Sequence, residues 1–157
     1  MRSSLLSSLA IICSVSTLAA SVPLASKHNI YLATCTPRRS CLLIICDEPD
    51  PFTAAAYYAN GASASTKPTE LATIADPASP WEGASRKGSL RNEAVTSTIN
   101  AGAKALAKGE LAGEAKIGTE EFVCFRDGQS TFTTTGGDGF DRRTVTCVAD
   151  YWCASTS

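Results

Sequence analysis

Residues 89–108, SLRNEAVTSTINAGAKALAK, carry the pattern that decides the expected fold class. Small and apolar residues recur there at helical spacing and form one stripe about 100° wide on a helical projection. The residues of this stripe are Val95, Ile99, Gly102, Ala103 and Leu106. Asn92 or Ser89 can cap the start, and two lysines followed by a glycine suit the end. The segment therefore predicts one amphipathic helix packed on the core.

The segments on the N-terminal side predict strands and a loop. Asn29–Cys35 and Leu42–Cys46 are apolar and of strand length, and we interpret the second as a strand buried on both faces. Residues 52–59 (FTAAAYYA) fit a helix or a short strand, since alanines permit a helix whereas the flanking residues favour a strand. Residues 62–80 are rich in Ala, Ser, Thr and Pro and predict a long loop, with a turn of helix at Glu70–Ile74.

The C-terminal third predicts a run of antiparallel strands. Asp127-Gly128 suits a two-residue turn between strands at 122–126 and 129–135, because such turns need positive φ angles. The sequence GGDG at 136–139 predicts the next turn, and Arg143–Val148 alternates polar and apolar residues as a half-buried strand does. The expected fold is therefore α+β, with an antiparallel sheet of four or more strands, one packed amphipathic helix and three disulfides.

Residues 1–20 have the features of a secretory signal peptide. Arg2 lies near the start, an apolar stretch follows over Leu5–Leu18, and the small residues Thr17 and Ala19 precede the expected cleavage site. Cleavage there leaves residues 21–157 as a single secreted, extracellular domain. We expect no membrane association after cleavage, because no second apolar run is long enough to cross a bilayer.

Six cysteines follow the predicted cleavage site, in an N-terminal and a C-terminal cluster: Cys35, Cys41, Cys46, Cys124, Cys147 and Cys153. Their even number predicts three disulfides, and the chain lacks the Cys-x2-Cys pairs of a metal site. If residues 42–45 are extended, the Cα atoms of Cys41 and Cys46 lie roughly 16 Å apart, whereas a disulfide spans roughly 7 Å at most. We therefore prefer three bridges between the clusters, and a local Cys35–Cys41 bridge stays open.

Composition disfavours several classes of function. The formal net charge of −1 argues against a nucleic-acid binder, which would need an excess of Lys and Arg. The single histidine, His28, lies in the N-terminal tail, where a solvated side chain is expected, and it offers little to histidine-based catalysis. No motif points to a metal or a cofactor, so we expect none.

Aromatic residues are the strongest binding candidates, because rings supply contact area to glycans and proteins. The candidates are Tyr57, Tyr58, Trp81, Tyr151 and Trp152. The alternative role of these rings is core packing, since neighbours on a strand point to opposite faces. An enzymatic alternative is a small hydrolase, glycosidase or ribonuclease-like, in which two carboxylates act as acid and base. The carboxylates considered for it are Asp47, Glu48, Asp50, Glu120, Glu121, Asp138 and Asp141.

The plan of the chain, with a signal peptide, six further cysteines, many Ser, Thr and Ala residues and no catalytic motif, resembles that of small secreted cysteine-rich proteins of filamentous fungi. The resemblance implies an effector-candidate or killer-toxin-like protein that binds a protein or glycan of a host or a competitor. We therefore expect a secreted interaction protein without enzymatic activity, with the small hydrolase as the alternative.

Overall fold

The computed structural model describes residues 27–62, 67–136 and 143–157. The predicted signal peptide and most of the predicted GGDG turn, with Asp138 and Asp141, lie outside these residues. Within them the chain is almost entirely β, and the only helical element is a 3-10 turn at Ala103–Ala105. The expected α+β class is therefore wrong, and the described chain has an all-β fold.

Eleven strands are present among the described residues. In chain order they are β1 (Asn29–Pro37), β2 (Cys41–Leu42), β3 (Ile45–Cys46), β4 (Phe52–Tyr58), β5 (Glu70–Ala75), β6 (Ser85–Leu90), β7 (Glu93–Ile99), β8 (Leu111–Ile117), β9 (Glu120–Arg126), β10 (Thr131–Gly136) and β11 (Arg143–Ser155).

Nine of these strands form one antiparallel sheet that curls until its two outer strands meet. The order across the sheet is β5-β4-β1-β11-β9-β8-β7-β6, and β10 also pairs with β11. β6 comes so close to β5 at Gly88 that an added Cβ would lie 2.4 Å from Cδ1 of Ile74. The result is a nearly closed, barrel-like sheet, which we call the main sheet, whereas β2 and β3 form a separate two-stranded hairpin.

The predicted helix at 89–108 is wrong, because this segment holds the end of β6, the whole of β7 and the 3-10 turn. Val95 and Ile99 are both buried on one face of β7. Residues four apart share a face in a strand as well as in a helix, so this apolar spacing is compatible with either period. Arg91 and Asn92, with φ angles of 59° and 60°, form the two-residue turn between β6 and β7.

The predicted long loop at 62–80 is interrupted by β5. The expected turn of helix at Glu70–Ile74 is instead a strand, which pairs with β4 through Ala55 opposite Ala72. Residues 52–59, which fit a helix or a strand in the sequence, form β4, and all seven residues of β4 are buried. Strand pairing on both sides of β4 decides between the two local preferences.

The predicted hairpin at Asp127-Gly128 is also wrong, because β9 and β10 pair with β11 and not with each other. β9 lies opposite Tyr151–Ser155, and β10 lies opposite Arg143–Val148. The backbone N–H groups of Asp127 and Gly128 donate to carbonyl oxygens of β11 at 3.0 and 2.8 Å. The Asp-Gly pair therefore marks an interruption between two strands that run in line.

All six cysteines in the described residues form disulfides, and each bridge joins residues directly opposite one another on paired strands. The pairs are Cys35–Cys147, Cys124–Cys153 and Cys41–Cys46, with Cα separations of 4.0, 3.9 and 4.0 Å. The three expected disulfides are confirmed. Of the preferred pairing between clusters, however, only Cys35–Cys147 is present. The expectation that Cys41 and Cys46 do not pair is wrong, because residues 42–45 turn back on themselves.

The inner side of the main sheet holds the larger apolar core. Its largest side chains are Ile30, Leu32, Tyr57, Trp81, Leu90, Val95, Ile99, Ile117, Phe122 and Tyr151. A second, smaller core lies on the opposite face of β1, β4 and β11, around Phe52, Tyr58, Phe132 and Val145. β4 contributes to both cores, and its small alanines allow both faces to pack closely.

Candidate functional site

The hairpin formed by β2 and β3 carries the most exposed large apolar side chains of the described residues. Leu43 and Ile44 are each 95% exposed, and Ile45 is 76% exposed. We call these three residues the apolar tip. The prediction of a strand at Leu42–Cys46 buried on both faces is therefore wrong.

Leu43, in the turn at the apolar tip, has a backbone conformation that is unusual for leucine. Leu43 has a φ angle of 56°, a conformation that turns of this kind normally give to Asn, Asp or Gly. A leucine here is unfavourable for the isolated chain in two ways, since its backbone is strained and its side chain lies in water. Backbone strain and exposed large apolar side chains are both features that occur at binding sites.

The base of the hairpin is held by covalent and polar contacts. The Cys41–Cys46 disulfide closes it, and the backbone N–H of Ser40 donates to Oδ1 of Asp47 at 2.6 Å. In return, the Asp47 N–H donates to the Ser40 carbonyl oxygen at 2.9 Å. These contacts restrain the backbone at the base of the hairpin, which lowers the backbone entropy lost when a partner binds the apolar tip.

A polar cluster lies where β9 starts and β11 ends. His28 Nδ1 and Ser155 Oγ lie 2.6 and 2.7 Å from the same carboxylate oxygen of Glu120, and Arg91 lies 3.2 Å from the other oxygen. The Arg91 guanidinium also lies over the ring of Tyr57, 5.1 Å from its centroid. The expectation of a solvated tail histidine is therefore wrong, since His28 is partly buried and paired with Glu120.

The electrostatics of this cluster favour an ionised Glu120. Burial by itself raises the pKa of Glu120, but hydrogen bonds from Ser155 and His28, with the charges of His28 and Arg91, outweigh it and hold the pKa below its ordinary value. The Ser155 hydroxyl donates to the carboxylate of Glu120, and the contacts of Glu120 with His28 and Ser155 join the N-terminal segment to β9 and β11.

A cleft of about 230 Å³ brings together the carboxylates of Glu82 and Asp150, which are not among the seven predicted candidates. Thr34 Oγ1 donates to Oδ2 of Asp150 at 2.7 Å, and the Tyr151 hydroxyl donates to Glu82. Lys104 and Trp81 also line the cleft.

Asp150 differs from an ordinary surface carboxylate. Burial raises the pKa of Asp150, and the negative charge of Glu82 adds to this effect, while the hydrogen bond from Thr34 and the charges of Arg126 and Lys104 oppose it. A carboxyl group with a raised pKa beside a second carboxylate is the arrangement that general acid–base chemistry uses.

The structure places the five predicted aromatic candidates mostly in the core. Tyr57, Tyr58, Trp81 and Tyr151 are between 0 and 3% exposed. Trp152 is partly exposed and lies against Phe125, with a centroid separation of 5.6 Å. The five rings therefore do not form one exposed patch.

The seven carboxylates considered for a hydrolase are spread over the chain. Asp47 and Glu48 lie at the base of the hairpin, and Glu120 belongs to the polar cluster.

Two signals in the sequence could have pointed to the exposed hairpin and to the cleft that holds Asp150. Two cysteines with four apolar residues between them are compatible with a tight turn that exposes the residues at its tip, and Asp150 lies in a strand that is otherwise apolar around it.

No group of three or more His, Cys, Asp or Glu residues that could hold a metal ion occurs in the described part of the chain. The same residues include no helix long and apolar enough to span a bilayer. Comparison of the chain with protein-family models, curated proteins and solved structures finds no match.

Proposed function

We propose that this chain is a secreted interaction protein that docks through the apolar tip into an apolar pocket of a partner protein. The observation that carries the proposal is the nearly complete exposure of Leu43 and Ile44, next to the largely exposed Ile45, on a hairpin closed by a disulfide. The three disulfides are consistent with an extracellular protein. The signal peptide and the resemblance to fungal cysteine-rich proteins stay predictions.

The size of the exposed side chains sets the scale of the binding energy. Burial of one Leu or Ile side chain contributes about 1.5–3 kcal/mol. Two such residues at the tip therefore contribute roughly 3–6 kcal/mol, which corresponds to a factor of about 100 or more in Kd. Because the disulfide already restrains the hairpin backbone, less of this energy is lost to backbone ordering.

The charges at the base of the hairpin favour a protein over a lipid surface. Arg38 and Arg39 stand before the hairpin, whereas Asp47, Glu48 and Asp50 follow it, and Arg39 is paired with Glu48. A loop that inserts into an anionic membrane interface normally has an excess of Lys and Arg and nearby Trp or Tyr. The segment from residue 38 to residue 50 has neither feature, so an apolar protein pocket with a mixed-charge rim is the better complement.

Photo-crosslinking tests this proposal. A photoreactive amino acid in place of Ile45 is exposed to candidate extracellular proteins, and crosslinked partners are identified by mass spectrometry. We expect one partner whose affinity falls at least 100-fold for the L43S/I44S variant, and a disulfide-closed synthetic peptide of residues 39–48 should compete for it.

The matched control is L111S, which removes a 61% exposed leucine from β8. This variant should bind like the wild type. Equal affinity of L43S/I44S and wild type would contradict the proposal. Tip-dependent flotation with phosphatidylserine-containing vesicles, or a tip-dependent dimer in sedimentation experiments, would also overturn it in favour of a lipid surface or a second copy.

The hydrolase remains the second candidate, and the cleft that holds Glu82 and Asp150 is the observation that favours it. Asp150, with its raised pKa, would be the general acid, and Glu82 the second carboxylate. On a panel of p-nitrophenyl glycosides, D150N should lose about 100-fold or more of any activity found, whereas E121Q, outside the cleft, should keep it. Absence of hydrolysis over the whole panel would contradict this candidate.

A further inference from the structure

The three disulfides differ sharply in their exposure to solvent. Cys35, Cys147, Cys124 and Cys153 are all 0% exposed and lie in the two cores, whereas Cys41 and Cys46 are both exposed. Thiol–disulfide exchange requires a thiolate to reach one of the bonded sulfur atoms. In the folded chain, the Cys41–Cys46 bridge is therefore the accessible one.

The hairpin that this bridge closes has little other support from strand pairing. β2 and β3 have two residues each and form a sheet of their own, apart from the main sheet. An isolated two-stranded hairpin is marginally stable in water, and Leu43 in its turn has an unfavourable φ angle. The hydrogen bonds between Ser40 and Asp47 and the ion pair of Arg39 with Glu48 also lie at the base of the hairpin, but they are noncovalent and the ion pair is solvent-exposed. Loss of the disulfide should therefore loosen the tip, while the main sheet keeps both of its own bridges.

We propose that Cys41–Cys46 is a thiol–disulfide exchange site for small thiols, and that its opening switches off docking by the apolar tip. The effect on docking rests on the proposed function, whereas the exchange at the bridge rests only on the exposure of Cys41 and Cys46. The substrate class is a low-molecular-weight thiol such as glutathione. The redox state of this bridge thus controls whether the apolar tip can dock.

The exchange proceeds in two steps. A thiolate attacks one sulfur of the bridge, the Cys41–Cys46 S–S bond breaks, and a mixed disulfide forms while the other cysteine leaves as a thiolate and takes a proton from water. A second thiolate attacks the mixed disulfide at the sulfur of the small thiol. Cys41 and Cys46 end as two thiols, and the two small thiols, which lose two electrons, end as one oxidised disulfide.

Differential alkylation tests the exchange site. The folded protein is incubated with increasing concentrations of glutathione, quenched with N-ethylmaleimide and mapped by mass spectrometry. We expect labelling or glutathionylation of Cys41 and Cys46 at a concentration at least tenfold below that needed for the other four cysteines, with an unchanged circular dichroism spectrum. Simultaneous reaction of all six cysteines, or earlier reaction of a buried pair, would overturn the proposal.

The effect on docking is measured by the crosslinking yield from position 45. Reduced and alkylated protein should crosslink at least tenfold less than the oxidised protein, and C41S/C46S should reproduce this loss and be insensitive to glutathione. If the bridge opens selectively but crosslinking is unchanged, the switch is refuted. If L43S/I44S binds like wild type while the bridge still opens selectively, the proposed docking function alone has failed.

Discussion

Replacement of Gly113 by alanine should be among the most damaging single changes in the main sheet. Gly113 lies in β8 opposite Ile99 of β7. A Cβ at this position would lie 2.2 Å from the carbonyl oxygen of Thr98 and 2.9 Å from the Cα atom of Ile99. Both atoms belong to the backbone of β7, so no side-chain rotation can relieve the contact.

The free-energy cost of G113A has two parts, because β7 and β8 must move apart to accommodate the added methyl group. Overpacking of this kind costs about 1–3 kcal/mol, and loss of a backbone hydrogen bond between β7 and β8 costs a further 0.5–1.5 kcal/mol or so. A total of about 3 kcal/mol should lower Tm by roughly 10 °C for a domain of this size. Urea unfolding under oxidising conditions, followed by the fluorescence of Trp81, which is buried, and of Trp152, gives the free energy of unfolding by linear extrapolation.

Gly109 supplies the control for this experiment. It has a φ angle of 89°, but no heavy atom lies within 4 Å of an added Cβ. G109A therefore tests conformational strain alone and should cost about 1–2 kcal/mol. If G113A is no less stable than G109A, the argument from the backbone contact between β7 and β8 is refuted.

Two further predictions concern the polar cluster and the core. E120Q should lower the free energy of unfolding by about 1–3 kcal/mol at pH 7. Since the folded-state pKa of Glu120 is lowered, the stabilisation is complete above the ordinary glutamate pKa of about 4.3 and is lost as the pH falls through the folded-state value. Wild type and E120Q should thus converge in acid, and a difference that stays constant in chemical denaturation from pH 7 to pH 3 would contradict this. F122A removes a 1% exposed ring from the larger core and should cost about 3–5 kcal/mol in urea unfolding; a loss below 1 kcal/mol would show that the core collapses around the missing ring.

Part of this fold could be predicted from local sequence. β1 is an apolar segment bounded by polar and turn residues, and Arg143–Val148 alternates polar and apolar residues over the first half of β11. The presence of three disulfides follows from six cysteines in a chain with a predicted signal peptide. In each case a few neighbouring residues carry enough information, because burial of one face or formation of a covalent bond depends on residue type.

The site depended on information that local sequence does not contain. Leu43 and Ile44 lie in the most apolar run of the chain after residue 20, and that run predicts burial, but a single positive φ at Leu43 turns it into an exposed tip. His28 and Glu120 are separated by 92 positions and meet only because β1 and β9 both pair with β11. Glu82 and Asp150 likewise share a cleft through tertiary packing.

The sequence by itself determined residue chemistry: which segments can be buried, how many disulfides can form and that the charge is nearly balanced. Only the tertiary structure decided that Val95 and Ile99 lie on a strand, that Cys124 pairs with Cys153, and that β9 and β10 share one neighbour. The physical reason is that a spacing of four residues satisfies two periodicities and six cysteines allow many pairings. Strand pairing between distant segments removes both ambiguities, since it fixes which faces are buried and which cysteines lie opposite one another.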